Sequence, residues 1–142
     1  MTDPGFQRPP DDGRSQHVAG SDKEFTRTEI NDAFNPPDWY PTEHPPMPET
    51  VAHGRKPDVR ACGQCHMPHG LGHPESSGLA GLPADYIEQQ MTDYAAGRRK
   101  SAVPTRATVM ITIAAAATAA EVREAAEYFS RLKPTKWIRV VE

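Results

Sequence analysis

Cys62, Cys65 and His66 stand in the run Cys62-Gly63-Gln64-Cys65-His66. Positions i, i+3 and i+4 share one face of a helical turn, so two thiols and an imidazole there address a single planar ligand. Each thiol can form a thioether to one of the two vinyl groups of a haem, with the imidazole held where it binds the iron, and C-x-x-C-H is the sequence signature of that attachment. The pair has two other readings. As half of a zinc site it needs a second pair of ligands at short spacing, which His69 and His73 offer. As a thioredoxin-like redox pair it needs a preceding strand in a βαβ pattern, and no strand pattern precedes Cys62. These are the chain's 2 cysteines, so neither a disulfide framework nor a four-cysteine zinc site can be built.

A haem bound through His66 takes a ligand on its other side, and low-spin electron carriers use Met or His there, Met raising the reduction potential. Met110 is the best placed. It lies well downstream of His66 in a stretch of Ala, Thr, Ile and Val without helical periodicity, read as a loop that crosses the far face of the ring. Met91 falls on the apolar stripe of a helix and reads as core packing. Met67 directly follows the proximal ligand and cannot reach the opposite face, and Met47 lies in a proline-rich segment. Among His44, His53, His69 and His73, the last two are too close in sequence to His66 to swing across the ring, which leaves His44, flanked by rigid prolines, as the rival.

The elements that must position these groups occupy the second part of the chain. Ten of its 15 prolines precede residue 58. Residues 1–24 combine Pro, Gly and charges, as disordered segments do, and residues 1–33 are read as a disordered arm. Residues 34–48 differ, because Phe34, Trp39, Tyr40 and Met47 accompany the prolines. Stiff extended backbone carrying aromatic side chains reads as a strap laid on a folded domain, the alternative being a docking peptide for another protein. A short helix between Pro48 and Gly54 completes residues 34–57. Pro83 opens a second helix with Ile87, Met91 and Tyr94 at helical spacing, closed by Gly97 and followed by Arg98-Arg99-Lys100, cations suited to a helix C-terminus. Thr118-Ala119-Ala120-Glu121 is a capping box before the stripe Val122, Ala125, Phe129 and Leu132, which ends at Pro134. Residues 135–142 form a tail in which Trp137 to Val141 are β-prone.

Composition narrows the classes. At 142 residues there is room for one domain. Hydrophobic residues make up 37% and the mean hydropathy is −0.69, poor for a self-sufficient core, and a largely apolar haem would add buried surface. A net charge of −3 gives no footprint for nucleic acid. No run approaches the length of a membrane-spanning helix, so no transmembrane segment is expected. The first thirty residues show no apolar signal region. Covalent haem attachment takes place outside the cytoplasm, which implies a periplasmic protein. A removed signal, or a chain trimmed at its N-terminus, reconciles the two.

The chain resembles the small soluble bacterial class I cytochromes c, monohaem electron carriers. Cys62 to Gly70 is similar to their C-x-x-C-H-x-P-x-G opening, and Leu79-Ala80-Gly81-Leu82-Pro83-Ala84-Asp85-Tyr86-Ile87 to the segment leading into their middle helix. Gly97-Arg98-Arg99 is similar to that helix's end, Val109-Met110 to their ligand loop, and Glu121 to Leu132 to their last helix. The resemblance covers about residues 58–133, and it implies a cytochrome c domain over residues 58–134. It implies a mostly α, cytochrome c-like domain around one covalent haem c, bound by Cys62, Cys65, His66 and Met110, with His66 and Met110 on the iron. It also implies no catalytic residues of the chain's own and a redox partner protein, whether a dehydrogenase, an oxidase or another cytochrome. The other class of reading is a sensor or catalytic haem with an open or His-ligated sixth position, with a zinc-binding interaction module after it. Three departures stand out. The family often has glycine where this chain has Met67, a proline whose carbonyl holds the haem histidine is replaced near Ser77 or Gly78, and the proline-rich strap is not part of the small domain.

Overall fold

The computed structural model describes residues 10–136. Its regular elements are short near the N-terminus and long toward the C-terminus: β1 (Ser15–Gln16), β2 (Phe25–Thr26), α1 (Arg27–Ile30), α2 (Glu49–Ala52), β3 (Gly54–Arg55), β4 (Val59–Arg60), α3 (Cys62–His66), α4 (Ala84–Ala95), α5 (Pro104–Ala116) and α6 (Ala119–Arg131). Two antiparallel ribbons, β1 with β2 and β3 with β4, are the only sheets among the described residues.

The core lies where α2, α4 and α6 meet. Val51, Ile87, Ala125, Ala126, Tyr128, Phe129 and Leu132 are its buried members, with Met47, Cys62, Leu79, Ala80, Leu82 and Ala84 packed around them. Phe129 is 1% exposed, and burying such a ring contributes about 1.5–3 kcal/mol. The capping box expected at Thr118 is present, its hydroxyl accepting from Glu121 N while Glu121 accepts from Thr118 N at 2.7 Å. Thr50, buried at the start of α2, donates from its backbone N to Glu124 of α6 at 3.1 Å, which ties those two helices.

The middle helix also follows the sequence. Ala84–Ala95 starts after Pro83 and ends in a Schellman turn, with Gly97 N donating to Tyr94 O, Arg98 N to Asp93 O, and Gly97 at φ 66°. The basic run after it folds back onto the helix. Arg98 pairs with Asp93 at 2.8 Å, and the Arg99 guanidinium lies 4.8 Å from the Tyr94 ring centroid.

Two expectations are corrected. Residues 104–116, read as a ligand loop, form helix α5, which packs on α4 and β4. Its buried positions, Ala107 and Ala114, are alanines, so the inward stripe carries no hydrophobic signature. Alanine's helix propensity and Pro104 at the first turn decide the conformation instead. The arm is likewise ordered from residue 15 to residue 30. Its β1–β2 ribbon runs into α1, where Thr26 and Glu29 form a second capping box.

The strap lies on the helical domain and the arm lies on the strap. Ser21 Oγ donates to Trp39 O at 2.6 Å, Tyr40 OH to Ala19 O at 2.6 Å, and the Phe25 and Trp39 rings meet edge to face at 4.8 Å. Ala61 N donates to Ala33 O at 2.9 Å just before the cysteine motif. Trp137 to Val141, read as β-prone, lie outside the described residues.

Candidate haem site

The motif occupies a five-residue helix of its own, α3, between β4 and the turn at Met67. One residue sets how close that helix comes to the core: a Cβ on Gly63 would lie 2.9 Å from Val51 O, so only glycine lets α3 sit against α2. Cys62 packs at the edge of the core cluster. Burial pushes its thiol up to about 12 and raises that of Cys65 as well. A disulfide-exchange pair needs a thiol made acidic by its surroundings. These surroundings do the reverse, which argues against the thioredoxin-like reading.

His66 is held by one bond. Its Nδ1 lies 2.8 Å from Ser77 O. A carbonyl only accepts, so the proton sits on Nδ1 and the Nε2 lone pair is left for a metal, the arrangement by which ligating histidines are usually oriented. Burial lowers the imidazole's pKa, which favours the neutral, ligating form. The edge of Phe129 in α6 packs near the ring, with centroids 6.1 Å apart at 69°. The carbonyl thus comes from Ser77, where the proline of similar proteins is missing. The turn after His66 shows what replaces their glycine: Met67 adopts φ 66° and ψ 151°.

Two thiols and a neutral imidazole on one short helix, with the imidazole's outer nitrogen already fixed, are a donor set that fits a covalently held haem. The zinc reading is not supported: among the described residues no group of three or more His, Cys, Asp or Glu side chains converges to hold a metal ion.

Met110 lies on α5, half-buried, three residues from Ala107 and four from Ala114, and so shares their inward stripe. It stands on a helix rather than on a loop. Met91 is half-buried one turn beyond Ile87 on α4, and Met47 packs against the core cluster. His44 is engaged at both ring nitrogens. Its Nε2 lies 3.0 Å from Asp38 Oδ1, its Nδ1 2.9 Å from Pro45 O, and its side chain is only 5% exposed. Both ring nitrogens thus face oxygen atoms of the strap rather than an open position. His53 Nδ1 is 3.2 Å from Phe34 O.

Sequence reasoning missed Tyr128. Its hydroxyl donates to Pro68 O at 2.6 Å, fixing the loop that leaves the haem motif. Burial, and then the nearby Asp38 carboxylate, raise its pKa and keep the proton in place. Its sequence signal was ambiguous, since a Tyr beside Phe129 on a capped helix reads simply as core.

No family model matches the chain. It is 37% identical over 81 residues to the thiosulfate dehydrogenase electron acceptor of Thiomonas intermedia (strain K12), a match covering 56% of this chain and 35% of that protein. Among solved structures, it is similar to cytochrome c4 of Pseudomonas stutzeri (29% identity, TM-score 0.47, 52% of this chain and 39% of the other). Cytochrome c4 of Acidithiobacillus ferrooxidans is also similar (32% identity, TM-score 0.47, 56% and 44%). So is thiosulfate dehydrogenase of Marichromatium purpuratum (27% identity, TM-score 0.48, 58% and 17%). The chain spans about a third of the curated relative's length and less than half of each of these solved chains. The C-x-x-C-H helix and the oriented His66, set in a mostly helical domain, form a site that fits one c-type haem, in a chain similar to a thiosulfate dehydrogenase electron acceptor.

Proposed function

We propose that this protein carries single electrons on one haem c, held by thioethers from Cys62 and Cys65 and ligated by His66 and Met110. The observation that carries the reading is the His66 geometry: Nδ1 fixed by Ser77 O at 2.8 Å, Nε2 left for the iron, and both motif cysteines on the same helical turn. Bound there, haem supplies a one-electron couple at its iron, and the chain supplies orientation, ligands and a low-polarity surround. His66 and Met110 would hold the iron and set its ligand field. Phe129 and the core cluster would keep water from the His66 side, and Ser77 fixes the imidazole's tautomer. No group of the chain is assigned an acid, base or nucleophilic role.

The electron-acceptor relative supports a redox partner, and covalent haem attachment supports the compartment. An electron acceptor of thiosulfate dehydrogenase receives electrons from another protein, and we assign this chain the same kind of partner, a dehydrogenase, met in the periplasm where c-type haem is attached. No helix among the described residues is long and apolar enough to cross a membrane. Redox encounters of this type use small interfaces.

The test is haem retention. Expressed with the c-type maturation machinery, the chain should keep its visible absorbance after denaturation and extraction with acidified organic solvent, and Cys62→Ser with Cys65→Ser should lose it. A colourless parent chain, or colour extracted from it under denaturation, would overturn the assignment.

A further inference from the structure

The strap does more than cover the domain. His44 and Asp38 form a nearly buried pair, with side chains 5% and 24% exposed and His44 Nε2 at 3.0 and 3.1 Å from the two Asp38 oxygens. The ring's other nitrogen, Nδ1, lies 3.2 Å from Tyr128 OH and 2.9 Å from Pro45 O. The same hydroxyl donates to Pro68 O at 2.6 Å, two residues after His66. Tyr128 also packs edge to face on Phe129 at 5.3 Å, and Phe129 is the ring beside His66. An unbroken path of hydrogen bonds and ring contacts therefore runs from the strap to the proximal imidazole. Trp39, Tyr40, His44, Met67, Pro68 and His69 line the small cleft over which the strap closes.

We propose that His44 is a positioning residue for the haem, with Asp38 as its anchor: the pair clamps the strap over the Met67–His69 turn and, through Tyr128, holds that turn against the domain. This rests on the haem reading above. Closing the turn off from water lowers the local dielectric around the iron, and a less polar surround disfavours the more highly charged oxidised form. The clamp therefore raises the reduction potential. Because the clamp belongs to the strap and not to the helical domain, this chain sets its potential partly with a segment outside the haem-binding unit.

The test is the midpoint potential of the full-length holoprotein, measured by spectroelectrochemistry, for the parent, His44→Ala and His44→Gln. Expected is a lower potential in His44→Ala, with the thioether-linked haem spectrum kept, and recovery of most of the loss in His44→Gln, whose amide can still donate to Asp38. An unchanged potential in His44→Ala would overturn the proposal whether or not its melting temperature falls, and so would an equal loss in His44→Gln. If His44→Ala does not mature, Asp38→Asn decides in the same way, a lower potential supporting the clamp and an unchanged one overturning it. A failure of the haem reading is distinct, because the parent itself would then carry no covalent haem.

Discussion

Met67 holds φ 66° and ψ 151°, a region essentially reserved for glycine, and is the one non-glycine residue with positive φ among those described. Such a conformation costs about 1–3 kcal/mol. Met67→Gly should relieve it, less about 0.5–1 kcal/mol for glycine's greater freedom in the unfolded chain. A net gain of about 1 kcal/mol, a rise in melting temperature of about 3 °C, is expected in thermal denaturation of the holoprotein, and a fall would show that the Met67 side chain contributes more than its backbone costs. The two half-buried methionines separate by role. Met110→Ala should abolish the Met-to-iron charge-transfer absorbance of the oxidised form and lower the potential, because thioether ligation favours reduced iron. Met91→Ala should keep the spectrum and cost about 1–2 kcal/mol, less than for a fully buried methionine. Exchanged outcomes in spectra and melts would reverse the assignment. At this scale the C-x-x-C-H run was legible as one helical turn, and the carbonyl beside His66 is that of Ser77, one of the two positions the sequence offered. Tyr128 was not legible, because its partner Pro68 lies 60 residues away.

Helices that declare themselves by caps and stripes were readable, and the one built on alanine was not. For α4 and α6, Pro83, Gly97 and the Thr118–Glu121 box marked the ends, and Ile87 and Phe129 marked the buried faces. Helix α5 buries only small side chains, so its sequence lacks the periodicity that would announce it, and Met110 was expected on a loop. What fixes the end of α5 is Arg55 of β3. Its guanidinium donates to Ala116 O at 3.0 Å and to Glu121 at 2.7 and 3.2 Å, joining the last turn of α5 to the cap of α6. The Arg55 bond, followed by the Thr118 backbone, lowers the Glu121 pKa from 4.5 to about 2. A folded-state pKa below the unfolded one means that the stabilisation is fully present above pH 4.5 and lost as pH falls through about 2. Urea denaturation between pH 6 and 2 should show this slope in the parent and a smaller one in Glu121→Gln. Arg55→Ala should lower stability only modestly at pH 7, since the arginine is half exposed, and should flatten the same slope. An unchanged slope in Glu121→Gln would place the acid sensitivity elsewhere.

Among the described residues, the segment before residue 49 lies against the helical domain through Ala33, His44 and Met47. Composition alone read residues 1–33 as disordered, because charges and prolines dominate there. The ordering of residues 15–30 comes from tertiary contacts that composition does not encode: Phe25 on Trp39, Ser21 on the Trp39 carbonyl and Tyr40 on the Ala19 carbonyl. Removing residues 1–33 should therefore lower the melting temperature, through loss of an aromatic pair of about 0.5–1.5 kcal/mol and of hydrogen bonds contributing about 1 kcal/mol each. Removing 1–48 should cost more, because Met47 leaves the core edge and His44 leaves Tyr128. Equal melting of both truncations and the parent would show that the strap acts as a docking peptide in the free protein. The most direct measurement of the central claim is a spectroelectrochemical titration of the full-length holoprotein, with haem and iron quantified per chain. One haem per polypeptide and a single one-electron wave that keeps the Met-ligated spectrum are expected. No visible chromophore, or haem lacking a reversible one-electron wave, would contradict an electron carrier built on Cys62, Cys65, His66 and Met110.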